Sequence, residues 1–108
     1  MGRQLRIYDI PDEHPSVIKW LDDLANDEFL AHILMVEKVG AAFAGCLLLP
    51  NDVWALKLPI GHGQTANLIF FSVKGGDYLA VHGFTLKHGE DESPHLEIAY
   101  KRKRDLIG

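Results

Sequence analysis

Three apolar segments separated by short, glycine-containing loops fill the second half of the chain and restrict the possible folds more than any other feature. They contain many β-branched and aromatic residues, which favours strands. The predicted strands cover residues 53–58, 66–73 and 78–86. We expect Pro59 to end the first strand. The sequence Lys74-Gly75-Gly76-Asp77 predicts a hairpin between the other two, because glycine adopts a positive φ at no steric cost.

The first half of the chain shows the apolar spacing of helices. From Ser16 onward, apolar residues recur every three or four positions, which predicts one helix up to Leu24. Asn26 is a suitable N-cap for a second helix, which we expect to end at Gly40 or Gly45. Two short helices with so tight a connection predict an antiparallel helical hairpin.

The two ends of the chain add one strand and one helix. Residues 5–10 have the pattern of a short strand, and Pro11 and Pro15 frame a turn after it. Ser93-Pro94 is typical of a helix start, so we expect a last helix from about His95 to Asp105. The predicted order is β-α-α-β-β-β-α. It indicates an α+β fold, with the helical hairpin and the C-terminal helix packed on one mostly antiparallel sheet.

Length and composition limit the class of protein. A chain of 108 residues, 47% apolar and 24% charged, fits a single folded domain spanning residues 1–108. No apolar run approaches the roughly 20 residues of a membrane helix, and the N-terminus lacks the pattern of a signal peptide. The single cysteine, Cys46, cannot form an internal disulfide. We therefore expect a soluble, cytoplasmic protein with no membrane partner.

The charge distribution gives only a local indication of nucleic-acid binding. The net charge is −4, so the positive field that usually accompanies such binding is absent over the molecule as a whole. Four basic residues nevertheless stand together at positions 101–104. This basic segment is either a solvated helix face or a binding surface.

Common catalytic and metal-binding motifs are missing. The glycine pairs at 61–63 and 75–76 lack the residues of a phosphate-binding loop or a dinucleotide fingerprint, and there is no GxSxG. Cys46 lies in an apolar run, which favours a buried thiol over a nucleophile. The six histidines show no HxH or HxxxH pairing, so we expect neither a metal site nor a cofactor.

A series of short motifs from Val53 onward carries a family resemblance. These motifs are Val53-Trp54, Leu56-Lys57-Leu58, Leu68-Ile69-Phe70-Phe71, His82-Gly83-Phe84, Lys87, Pro94, Glu97-Ile98-Ala99 and Arg102. In these residues the chain resembles the RelE/HigB superfamily of bacterial toxins, and in particular its phage-derived HigB-like branch. The helical hairpin and the turn before the sheet also fit that family's layout.

The resemblance implies the toxin of a type II toxin-antitoxin system. Such a toxin is a metal-independent endoribonuclease, either ribosome-dependent or free. We expect this one to cleave mRNA on the ribosome and so to inhibit translation. A helix-turn-helix antitoxin encoded beside it would be its neutralising partner. In the reaction, an RNA 2′-OH attacks the adjacent phosphate, which requires a proton acceptor, cations for the phosphate charge and an acid for the leaving oxygen.

The resemblance also nominates site residues by position. Lys57 and Lys87 would stabilise the phosphate charge, and His82 or His88 would act as acid or base, since histidine titrates near neutral pH. The residues expected to contact RNA are Asn67, Tyr100, Lys101, Arg102 and Arg104.

Several nominations have a structural alternative. His82 could equally be a hydrogen-bonded core histidine, and Lys57 and His88 could be ordinary surface residues. Tyr100 could cap the edge of the core instead of lining a site.

Three departures from the family pattern leave a second hypothesis open. Ala55, Asn67 and Leu86 stand where the family favours charged or basic residues. The alternative to a nuclease is a catalytically weakened or non-enzymatic relative that acts by protein binding, either to an antitoxin or to a topoisomerase target.

Overall fold

A computed structural model describes residues 3–8 and 16–107 of the chain, with only the backbone at Ile107. The described part has three helices and five strands. The helices are α1 (Val17–Leu24), α2 (Asp27–Val39) and α3 (Ser93–Ile107). The strands are β1 (Leu5–Ile7), β2 (Cys46–Leu49), β3 (Val53–Gly61), β4 (Gln64–Ser72) and β5 (Tyr78–Lys87), with a 3-10 turn at Pro50–Asp52.

The strands form one sheet in the order β1-β5-β4-β3-β2. β1 runs parallel to β5, and every other neighbouring pair is antiparallel. This confirms the predicted α+β class and the mostly antiparallel sheet. The predicted strand at 5–10 is observed as Leu5–Ile7, while Asp9, Ile10 and the turn at Pro11 and Pro15 lie outside the described residues.

Two details of the predicted strands were wrong. The uncharged segment before Pro50 contains β2, an edge strand that the predicted element order lacked. β3 does not stop at Pro59 but continues to Gly61. The pairing with β2 extends only to Leu56, so β3 is itself an edge beyond that point and tolerates a proline, which has no N–H to donate.

Local capping sets the ends of the first two helices. The Ser16 hydroxyl accepts a hydrogen bond from the Lys19 N–H at 3.2 Å, and the Asn26 side chain accepts one from the Phe29 N–H at 2.9 Å. The prediction of Asn26 as the N-cap of α2 is thus confirmed. α2 ends at the nearer of the two predicted glycines, Gly40, which has a φ of +83°.

The last helix is longer than predicted. The Glu92 carbonyl accepts the first two hydrogen bonds, from the N–H groups of His95 and Leu96, and the helix continues to Ile107. Pro94 lies in the first turn as expected, where its missing N–H has no helical partner to lose.

The helices cover both faces of the sheet. α1 and α2 pack on one face over a core that includes Phe29, Val36, Leu56, Leu68, Phe70 and Tyr78. α3 packs on the opposite face over a second core that includes Val53, Ala55, Ile69, Phe71, Val81, Phe84 and Ala99. β4 is buried from both sides at Ala66–Phe71 and forms the centre of the domain.

Helix α1 sits on β5 through a close contact between Trp20 and Gly83. A Cβ at Gly83 would overlap the Trp20 ring, so only glycine allows this approach. The Trp20 indole N–H donates a hydrogen bond to the Thr85 hydroxyl at 3.1 Å, which fixes the ring on the strand. In the part of the chain that the structure describes, no helix is long and apolar enough to cross a membrane.

Candidate functional site

A bulge in β5 determines what faces α3. Ile69 pairs with His82 and Phe70 pairs with Ala80, which leaves Val81 without a partner across the strand. The Val81 carbonyl accepts a 2.8 Å hydrogen bond from the Arg102 guanidinium of α3 instead. As a result, both Val81 and His82 pack on the α3 side of the sheet, where strict alternation would have placed only one of them.

His82 is fully buried and joined to a second histidine. Its Nε2 lies 3.0 Å from Nδ1 of His95, and the Phe84 ring stacks on the His95 ring with centroids 4.1 Å apart. Burial, helped by the positive charge of Arg102 and by His95, lowers the pKa of His82 to about 4. His82 is therefore neutral at neutral pH and does not titrate in the range for which it was nominated as acid or base.

A lysine, an asparagine and a glutamate form a polar cluster on the same face of the sheet, which we call the Lys57 cluster. In the strand register, Lys57 of β3 lies opposite Asn67 of β4, and Asn67 lies opposite Phe84 of β5. Lys57, Asn67 and Phe84 therefore form one row across the three strands. The Lys57 Nζ donates to Asn67 Oδ1 at 2.7 Å and lies 3.2 Å from a carboxylate oxygen of Glu92. The Lys57 side chain as a whole is 30% exposed.

An open groove lies beside the Lys57 cluster. Its volume is about 450 Å³. Pro59, Thr65 and Leu86 line it two residues further along their strands, so they share the face of Lys57 and Asn67. The other lining residues are Gly61, Gly63, Gln64, Lys87, His88, Gly89 and Glu90.

Two nominated residues that are neighbours in the sequence, Lys87 and His88, line this groove. Lys87 and His88 are both exposed there, and their backbone N–H groups are held by Glu90 Oε1 at 2.6 Å and by the Gly63 carbonyl at 2.8 Å. This fixes the backbone while leaving the two side chains at the solvent.

The basic segment at 101–104 does not act as a single surface. Arg102 points into the domain and is only 3% exposed, while Lys101 pairs with Asp105 at the solvent. The Lys103 Nζ donates to the Asn51 carbonyl, and Arg104 is exposed. Within this segment, Lys101 and Arg104 are the basic residues with exposed side chains.

Two more nominated RNA contacts are hydrogen-bonded within the domain, Asn67 in its interior and Tyr100 closer to the surface. Asn67 is fully buried, since its side chain accepts from Lys57 and its amide donates to the Thr65 carbonyl at 3.1 Å. The Tyr100 hydroxyl donates to the Pro50 carbonyl at 2.8 Å, and its ring packs at the edge of the second core. This burial disfavours direct contact between Asn67 and RNA, so its role here is to hold Lys57.

Sequence reasoning missed Glu92 and His95. Both lie at the start of α3, three positions apart, a spacing that places side chains on one face of a helical turn. That spacing beside the predicted Ser93-Pro94 helix start was the available signal. Their contacts with Lys57 and His82 depend on how α3 crosses the sheet, which a local pattern does not specify.

Comparison with protein-family models found no match to this chain. Comparison with curated proteins likewise found no matching relative. Among the described residues, no three histidine, cysteine, aspartate or glutamate side chains are grouped closely enough to hold a metal ion.

Proposed function

We propose that the protein is a metal-independent endoribonuclease that cleaves mRNA on the ribosome, the toxin of a type II toxin-antitoxin pair with a helix-turn-helix antitoxin. The observation that carries the proposal is the Lys57 cluster, in which a lysine with a partly exposed side chain is held on the sheet face that bears the groove. This cation lies within the motifs that resemble the RelE/HigB superfamily.

The chemistry of RNA cleavage gives Lys57 a defined role. Attack of the 2′-OH on the phosphate builds negative charge on the phosphate oxygens, and a fixed cation stabilises that charge more than it stabilises the ground state. Asn67 is rigid in the sheet and holds the ammonium group, so little reorganisation is needed. A phosphate that approaches Lys57 would compete with Glu92 for the same ammonium group.

The groove supports the binding of the neighbouring nucleotide. Its volume of about 450 Å³ falls in the size range of small-ligand sites. Lys87 can contact a second phosphate, and His88 is the nominated acid or base that stays at the solvent. Binding through a few local cations in a chain of net charge −4 should weaken as salt is raised, with a slope set by the small number of phosphates contacted.

A second candidate function is protein binding without catalysis, by contact with an antitoxin or a topoisomerase. The contact between Lys57 and Glu92 favours it, because the carboxylate neutralises the central cation of the site. In this alternative the cluster would contribute only to the structure of the domain.

Expression of the chain alone in a bacterial host separates the two functions. We would follow growth and map mRNA 5′ ends for the wild type, Lys57→Met and Lys19→Met. Lys19 is the matched control, because it is also a lysine paired with a carboxylate, Asp23, but lies on α1 and was not nominated for the site. We expect growth arrest and new in-frame 5′ ends with the wild type and Lys19→Met, and a loss of cleavage of about 100-fold with Lys57→Met.

The other outcomes each overturn part of the proposal. Growth arrest with intact mRNA would point to a topoisomerase or another protein target. Normal growth with a folded, expressed wild-type protein would favour the binding-only alternative. Equal cleavage by Lys57→Met and the wild type would show that Lys57 does not stabilise the phosphate charge in the reaction.

A further inference from the structure

His95 was not nominated as a site residue, but it lies at the start of α3 next to His82 and Phe84. Its ring lies in the first turn of α3, half-buried, stacked on Phe84 and within hydrogen-bond distance of His82. Phe84 is in the same cross-strand row as Asn67 and Lys57. Since neighbouring strands are about 4.8 Å apart, the backbone of Phe84, on whose ring His95 stacks, lies on the order of 10 Å from the Lys57 backbone.

The contact between the two histidines fixes which nitrogen carries each proton. His82 is neutral, so its ring has one N–H. Its Nδ1 is buried and has no hydrogen-bond partner among the described residues. A buried N–H without an acceptor is rarer than an acceptor left unpaired, so the proton of His82 belongs on Nε2, from which it is donated to His95 Nδ1.

This assignment determines what His95 can offer to a ligand. With Nδ1 occupied as an acceptor, a neutral His95 must carry its proton on Nε2. His95 Nε2 has no partner among the described residues and is not a buried unpaired atom, so it is not closed off from the solvent. The ring thus presents a single N–H donor whose direction is set by His82 and by the stack on Phe84.

We propose that His95 Nε2–H is a fixed hydrogen-bond donor to a phosphodiester oxygen of RNA, and that His82 is the positioning residue that fixes its tautomer. The inference rests on the proposed function, because it places a second donor on the phosphate that Lys57 contacts. The charged groups nearest the histidine pair are Arg102, whose positive charge acts on His82, and Glu92, three residues before His95. Glu92 in turn pairs with Lys57 of β3.

The tautomer itself is tested on the wild-type protein without any variant. In ¹⁵N spectra of the imidazole rings at pH 7.5, we expect Nε2 protonated and Nδ1 bare in both His82 and His95. The reverse tautomer in either ring would overturn the assignment. In His82→Phe, the His95 ring should lose its single tautomer and show the averaged nitrogen shifts of a free imidazole, which a purely structural role for His82 would not produce.

The phosphate contact is tested with a fully 2′-O-methylated oligoribonucleotide, which binds but cannot be cleaved. We expect it to shift the His95 Nε2–H signal, and we expect His95→Leu to lower cleavage of ordinary RNA about 100-fold, with partial rescue by His95→Gln, which retains an N–H donor. His32→Leu is the matched control. His32 is also a half-buried histidine with a ring contact and a bonded Nδ1, but it lies on α2, across the sheet.

The outcomes separate this inference from the proposed function. Cleavage by the wild type with no loss in His95→Leu would overturn the role of His95 alone. An absence of cleavage together with a His95 Nε2–H shift by the oligonucleotide would overturn the nuclease but support the phosphate contact. An absence of both would overturn the two together.

Discussion

Acidification should destabilise the protein through His82, whose ring is fully buried between β5 and α3. Folding lowers the pKa of this imidazole from 6.5 to about 4, chiefly because burial disfavours the charged form. The unfolded chain therefore binds a proton that the folded protein excludes. The stabilising contribution is fully present above pH 6.5 and is lost as the pH falls from 6.5 towards 4.

The size of the effect follows from the two pKa values. The full shift from 6.5 to about 4 corresponds to about 3 kcal/mol in the free energy of unfolding. Between pH 7 and pH 5, integration of the same linkage gives a loss of about 2 kcal/mol from His82 alone. Such a loss is a large part of the 5–15 kcal/mol typical of a domain of roughly this size.

Urea unfolding at pH 7 and pH 5, followed by tryptophan fluorescence, measures this loss. The comparison is between the wild type and His82→Phe, which keeps an aromatic ring next to Phe84 and His95 but has no titrating group. We expect the wild type to lose about 2 kcal/mol more than His82→Phe on acidification. His88→Gln, a change at an exposed histidine, should keep the wild-type pH dependence.

The comparison is one of pH dependences, so a lower overall stability of the Phe variant does not affect it. If His82→Phe and the wild type lost the same free energy between pH 7 and pH 5, the buried neutral state of His82 would be refuted. The tautomer assigned to the histidine pair would then lose its premise as well.

Three further changes test packing and burial elsewhere in the domain. Gly83→Ala should cost about 1–3 kcal/mol in urea unfolding and shift the emission of Trp20, because the new methyl group overlaps that ring. Tyr78→Phe should cost about 1–2 kcal/mol in the same assay, because the hydroxyl accepts a hydrogen bond from the Ala41 N–H at 2.8 Å. Burial raises the pKa of Cys46 from 9.0 to about 11, so iodoacetamide at pH 8 should alkylate the folded protein about 100-fold more slowly than the unfolded chain.

Most of the secondary structure was predictable because its signals are local. The Asn26 cap, the Gly40 helix end and the Gly75-Gly76 hairpin each depend on the chemistry of a few neighbouring residues. Where a local rule failed, a distant strand decided the outcome. β3 tolerates Pro59 because its pairing with β2 stops at Leu56, before the proline. The residues around Pro59 do not indicate where that pairing stops.

The candidate site was predictable only in part, for a similar reason. The motif resemblance pointed to Lys57, which lies on the opposite face of β3 from Leu56 and Leu58. Its partner Glu92 is 35 positions away along the chain and reaches it only because α3 crosses that face of the sheet.

By itself, the sequence determined the class of the fold, the order of most elements and the starts of the first two helices, since these follow from apolar spacing and from capping and turn residues. The tertiary structure decided which polar side chains are available. The bulge at Val81 places His82 on the α3 face of the sheet, and the Val81 carbonyl binds the Arg102 guanidinium inside the domain. Asn67 is buried and holds Lys57 by a hydrogen bond. Burial and charge pairing depend on contacts between residues far apart in the chain, and these arise only when α3 packs on the sheet.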